Sequence, residues 1–256
     1  MLRPVGMFVF CLLLTPGVGA RGATATPDTL FNKGNEFFQA GNYEKAIAEY
    51  QKILSAGFES WQVYYNIGNA YFKQGDIAHA ILNFERAKKL EPENEDVNYN
   101  LEFATLKTVD RIQELPRFFG AALFDRLSHA ISMRVLGILA LSIYATLFAL
   151  LILRILAKSV FGGKGMKAAI VISGICLFLF GSLFVARVYE AETTIAAIVL
   201  VDKVDIKSAP DAAGTDVFTL HSGVKVRIED KSLDWVKIRL ADGKVGWMHG
   251  TGLAVI

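Results

Sequence analysis

Cysteine and charge are both scarce in this chain, and each scarcity excludes something. Only two cysteines occur in 256 residues, Cys11 and Cys176. With an N-terminal leader removed one thiol remains, and no internal disulfide can form. A cleaved leader ordinarily implies a disulfide-permissive compartment, so the mature chain must hold together without such staples. Charged residues make up 20% and apolar residues 53%, against about 25% and about 45–50% in soluble proteins. A net charge of +2 without a long run of Lys or Arg gives no reason to expect nucleic acid as a partner.

Recognisable catalytic groupings are also missing. His79, His129, His221 and His249 are scattered over three regions without metal-ligand spacing, so no metal site is expected. Gly162-Gly163-Lys164-Gly165 lacks the spacing of a phosphate loop. No serine or cysteine nucleophile motif is visible, so neither an enzymatic role nor a cofactor is expected.

What the chain does have is apolar sequence in three blocks. Residues 1–20, MLRPVGMFVFCLLLTPGVGA, place one cation before an apolar run from Val5 to Leu14 and end on small residues. That order fits a cleaved secretory signal better than a membrane span. Cleavage is expected after Ala20, with Ala23 and Ala25 as alternative sites. Lipid modification at Cys11 is disfavoured by the bulky Phe10 before it.

The other two blocks, 135–153 and 168–186, carry no charge in 19 residues each. At about 1.5 Å per residue each reaches about 28 Å, close to the hydrocarbon thickness of a bilayer. They are predicted to form a transmembrane helical hairpin. Its connector, 154–167, holds Arg154, Lys158, Lys164 and Lys167 and no acid. The positive-inside rule therefore puts the connector in the cytoplasm and both soluble regions outside, where a signal would also send the N-terminal part. The bridge before the first span, 113–134, reads either as an interfacial helix or as an extension of that span.

Between the signal and the spans the chain repeats itself. NKGNEFFQAGNYEKA, from Asn32, returns as NIGNAYFKQGDIAHA, from Asn66, with six of fifteen positions identical at an offset of 34. A 34-residue period is that of the tetratricopeptide repeat, two antiparallel helices per unit, which the second copy resembles through Tyr64, Ile67, Gly68, Tyr71, Ala80, Phe84, Ala87 and Pro92. The first copy departs from the pattern at Lys33 and Phe58. Gly34, Gly68, Ala46 and Ala80 are expected where helices cross closely, and Gly41-Asn42 and Gly75-Asp76 where the chain turns. Asn94 to Lys107 is expected as a closing helix, since two repeats leave an apolar face uncovered, with no clear second helix after it.

Asn32, Asn66 and Asn100, with Asn35 and Asn69, recur on the first helices beside Tyr65 and Tyr99. In tetratricopeptide proteins such positions line the concave face, so the resemblance implies a peptide-binding groove. The alternative is that they are solvated helix residues and packing aromatics.

From Thr194 the pattern alternates. Val224, Val226 and Ile228, then Val236, Ile238 and Leu240, alternate with polar residues, and Asp242-Gly243 is a hairpin signal. A small antiparallel barrel is predicted. Asp205 to Pro210 followed by Gly246-Trp247 resembles the opening and closing segments of bacterial SH3-like domains. Lys207 stands where that family more often has arginine. Lys207, Trp235 and Trp247 are the candidate ligand surface; the two tryptophans either form a ligand-facing pair or pack the barrel.

The chain thus reads as a multidomain membrane protein. It has a signal (1–20), an all-α repeat domain (27–112), a bridge (113–134), two spans around a basic loop and an all-β SH3-like barrel (194–256). That order resembles the BatE-type proteins of the aerotolerance operon. The resemblance implies a bacterial inner-membrane protein acting in oxidative-stress tolerance or envelope maintenance. It also implies von Willebrand factor A-domain membrane proteins and a MoxR-type ATPase as neighbours. Peptidoglycan is the alternative ligand, through the SH3-like domain.

Overall fold

A computed structural model describes residues 26–113, 115, 120, 131–157 and 163–256. The expected signal, most of the bridge at 113–134 and residues 158–162 of the basic loop lie outside the described residues.

Five helices form the first module: α1 (Pro27–Gln39), α2 (Tyr43–Ser55), α3 (Trp61–Gln74), α4 (Ile77–Leu90) and α5 (Glu95–Thr105). Their starts are set locally. Thr26, Ser60, Asp76 and Asn94 each accept a hydrogen bond from the backbone N–H three residues on, and Pro27 occupies the first turn of α1. Between α1 and α2, and again between α3 and α4, the chain reverses at Gly41 (φ 76°) and Gly75 (φ 85°), conformations that cost glycine little.

The small residues of the repeat lie where the helices come closest. A Cβ on Gly68 would sit 2.7 Å from the Phe84 ring, and one on Gly34 would meet the Tyr50 ring. Ala46 and Ala80 are fully buried. Phe58, off the repeat pattern, is exposed in the α2–α3 loop. Lys33 stands where the second copy has Ile67, and it pairs with the buried Glu49 at 3.0 Å, which also binds Lys52 at 2.9 Å. The hydrogen bond from Lys52, aided by Lys33, holds the Glu49 carboxyl below its usual range despite burial.

Two long helices follow, α6 (Met133–Leu156) and α7 (Lys164–Thr193), both longer than the apolar blocks within them. They pack on each other; a Cβ on Gly137 would lie 3.1 Å from the Phe184 ring. Both are long and apolar enough to cross a membrane, and almost none of their residues are buried. The stretch from Tyr189 to Thr193, expected to link the second span to the barrel, is helical, so α7 enters the β domain through Thr194 alone.

The β domain is one seven-stranded antiparallel sheet: β1 (Ile195–Val199), β2 (Lys203–Lys207), β3 (Asp216–His221), β4 (Lys225–Ser232), β5 (Trp235–Arg239), β6 (Val245–His249) and β7 (Leu253–Val255). The order across it is β3-β2-β6-β5-β4-β1-β7. Its core is aliphatic and includes Ala197, Val199, Ile206, Leu220, Val226, Ile238 and Met248.

The two soluble modules touch, which the sequence left open. On β1, Ala197 and Val199 face the β core, while Ile198 and its neighbour Leu200 join Ala254 and Ile256 against Ile81, Phe84, Leu101 and Ala104 of the repeats. Residues 106–113, directly after α5, form no second repeat helix. The β1–β7 edge covers the apolar face that such a helix would have covered. Polar contacts frame the seam. Lys225 pairs with Glu85 at 2.7 Å, and Arg86 donates to the Val255 carbonyl at 2.7 Å. Asp110 accepts the backbone N–H of His221 at 2.6 Å, and Ile112 packs against the β core.

Candidate functional site

Successive first helices α1, α3 and α5 line one side of the repeat module, and their asparagines meet across it. Asn66 donates to Asn35 Oδ1 at 3.1 Å, and Asn100 donates to Asn69 Oδ1 at 2.9 Å and to the Tyr65 hydroxyl at 2.9 Å. The Tyr50 hydroxyl donates to Asn35 Oδ1 at 2.7 Å, and burial pushes its pKa up to about 12, so it stays a neutral donor. This ladder fixes amide orientation. Asn35 and Asn69 engage their oxygens and keep N–H donors; Asn66 and Asn100 engage an N–H and keep carbonyl acceptors. Asn32 lies exposed one turn before Asn35, outside the ladder.

Beside the second rung opens a cavity of about 280 Å³, lined by Asn69, Phe72 and Lys73 of α3, Phe84 of α4, and Tyr99, Asn100 and Phe103 of α5. Tyr99 and Phe103 stack with rings 3° from parallel, and Phe72 meets Phe103 at 5.6 Å. Lys107 lies 5.4 Å from the Phe103 ring centre. Tyr99 remains 68% exposed, a large aromatic held at the cavity rim instead of packed away. Such a site offers one apolar slot flanked by alternating amide donors and acceptors, the pattern of an extended backbone with one anchoring side chain.

Phe72, Lys73 and Phe103 were not among the residues expected there. The signal was available: Phe72 and Phe103 are 31 residues apart, as are Asn69 and Asn100, because residues at that offset face each other across α3 and α5.

The second candidate surface is the outer face of the β domain. Lys207 and Lys237 both pair with Trp247 in the ladder, and Lys207 also pairs with Asp216, so these side chains share a face. Lys207 binds Asp216 at 2.6 Å, which ties down the residue replacing the more usual arginine. Trp235 is opposite His249, 5.9 Å ring to ring, and one step diagonal from Trp247. The two tryptophans are therefore neither a directly opposed pair nor part of the aliphatic core. Both stand half-buried on the outer face. Period-two alternation places them there: Val236, Ile238, Gly246 and Met248 take the inward positions between them.

Comparison with known families matches the same regions. Residues 34–75 and 61–94 match tetratricopeptide repeat families, described as TPR repeat and tetratricopeptide repeat, and residues 202–254 match the bacterial SH3 domain. No curated protein matches the chain. The matched SH3 region begins after β1, so one of the two strands that dock on the repeats lies outside it. The chain carries tetratricopeptide repeats, two long apolar helices and a bacterial SH3 domain, modules suited to binding a protein or the cell wall.

Proposed function

We propose that the protein is a non-enzymatic scaffold of the bacterial inner membrane, whose repeat groove holds a segment of a protein partner on the extracytoplasmic side. One observation carries this reading: the cavity at Phe72, Tyr99 and Phe103 sits beside oriented amides on a three-helix wall. The uncovered apolar surface of α6 and α7 supports membrane insertion, since water would not tolerate two such cylinders. Contact between the repeats and the β domain supports a hairpin topology, because modules before α6 and after α7 can dock only on one side of a bilayer. The basic connector argues for the extracytoplasmic side.

The order of modules supports placing it with the BatE-type proteins, in an aerotolerance or oxidative-stress complex with von Willebrand factor A-domain membrane proteins. The test is purification from native membranes in mild detergent, with mass spectrometry of bound proteins. Recovery of A-domain membrane proteins, lost in a Phe103→Ala, Asn69→Ala variant, is the expected result. Unchanged recovery in that variant would remove the groove from the mechanism.

A second reading, a cell-wall sensor or tether binding peptidoglycan, is favoured by the outward Trp247 between Lys207 and Lys237. Co-sedimentation of the full chain in detergent with purified sacculi, abolished by Trp247→Ala, would support it.

A further inference from the structure

The β4–β5 hairpin turns through two residues, Leu233 and Asp234, since Ser232 is paired with Trp235. Leu233 has φ 52°, a left-handed conformation that glycine or asparagine adopts more readily, and it is the only non-glycine residue with positive φ among those described. Its side chain is fully exposed at 100%. A leucine at this tip is disfavoured twice, by backbone strain and by exposure, and the soluble domain gains nothing from it. Such an outlier points to an apolar surface that the tip meets.

The ladder indicates which surface. Strand β1 starts at Ile195, directly after α7, and Ile195 is opposite Ile228 of the antiparallel β4. Beyond Ile228, β4 therefore runs back past the junction with α7, toward the apolar helices. With the bulge at Glu229, Ile228 to Leu233 advances by about four strand steps, about 13 Å. Four helical steps from Tyr189 to Thr193 and two extended steps on to Ile195 cover about the same distance. With β1 taken to continue the line of α7, the tip returns to the level of Tyr189, two residues beyond Arg187, where the uncharged block ends. Two aromatics stand near that level: Tyr189, exposed on α7, and Trp235 at the base of the turn. Aromatic residues favour such interfaces.

We propose that Leu233 is a membrane-interface anchor: the β4–β5 tip inserts this side chain among the lipids around α7 and so sets the tilt of the β domain and docked repeats. The inference rests on the reading that α6 and α7 span a bilayer. Asp230, Lys231 and Asp234 around the tip sum to one negative charge, so the contact is apolar, not an electrostatic attraction to anionic headgroups.

Spin labels test it in the full chain, in nanodiscs of phosphatidylethanolamine and phosphatidylglycerol. With Cys11 and Cys176 replaced by serine, a label is placed in turn at Leu233→Cys, at Phe178→Cys within α7 and at Ala212→Cys in the β2–β3 loop. Collisions with oxygen relative to a water-soluble nickel chelate should be about tenfold higher at 233 than at 212. A 233 label matching 212 while 178 is shielded from the chelate overturns the anchor alone. Chelate access at 178 overturns the membrane reading and the anchor with it.

Discussion

The two repeats solve the same packing problem with different residues, and the difference tracks what covers each. At equivalent positions the first has Lys33, Glu49 and Tyr50, and the second has Ile67, Asn83 and Phe84. The second repeat is enclosed: α5 closes one side, and the β1–β7 edge lies on α4. There Ile67 and Phe84 are almost wholly buried, and the buried Asn83 is satisfied by donating to the His79 carbonyl at 2.8 Å. The first repeat is the outer one. Lys33 keeps its head in water while covering the carboxylate of Glu49, an arrangement a terminal unit tolerates and an enclosed one would not. A repeat's inherited pattern thus yields at the end of the stack, where solvent can still reach.

The sharpest way to break this comparison is a methyl group. Gly68→Ala should destabilise by about 3 kcal/mol, because the docked β1–β7 edge keeps α4 from shifting outward, whereas Gly34→Ala should cost about 1 kcal/mol as α1 shifts outward. Thermal unfolding in detergent micelles, followed through Trp61 emission with Trp235 and Trp247 replaced by phenylalanine, would separate the two. Equal losses would mean that enclosure is not what distinguishes the repeats. Next, Ile198→Ala should cost about 2 kcal/mol by opening the seam between modules. Hydrogen exchange should then accelerate in α4 and α5 and stay unchanged in α2.

The seam also marks the limit of what could be read without a fold. Both helical hairpins, their glycine contacts, the apolar helices and the inward strand positions follow from local periodicity and were legible. The docking of Ile198 on α4 was not, because the unbroken apolar run from Ile195 to Val201 says that both faces of β1 are covered but not by what. In the groove, the asparagines and Tyr99 were legible as a recurring set, but their mutual pairing and the part of Phe103 depended on how far α3 and α5 are offset.

A smaller effect separates positions 50 and 84 by pH. Burial raises the Tyr50 hydroxyl from 10.0 to about 12, while its counterpart Phe84 does not titrate. The folded state therefore holds this proton more tightly than the unfolded chain. The associated stability is complete below about pH 10 and is lost as pH rises toward about 12. Alkaline titration of unfolding should show that loss, diminished in Tyr50→Phe. For Glu49 the sign is opposite: its lowered carboxyl stabilises at neutral pH, and the contribution fades in acid as the folded carboxylate takes up a proton. Smallest of all, transplanting the second repeat's residues as Lys33→Ile with Glu49→Asn should be nearly neutral, within about 0.5 kcal/mol. Lys33→Ile alone should cost about 1 kcal/mol, since it withdraws one of two cations from a buried carboxylate.

By itself the amino-acid sequence determined the kinds of module and their order. Helix caps, a 34-residue period, uncharged apolar runs and alternating strands are properties of neighbouring residues, and neighbouring residues suffice to set them. Only the tertiary structure decided that the β1–β7 edge closes the repeat stack, that Trp247 lies between two lysines outside the core, and that β4 runs back toward α7. Each depends on pairing between segments far apart in the chain, where register and the covering of one apolar face by another choose among arrangements that local pattern leaves equal.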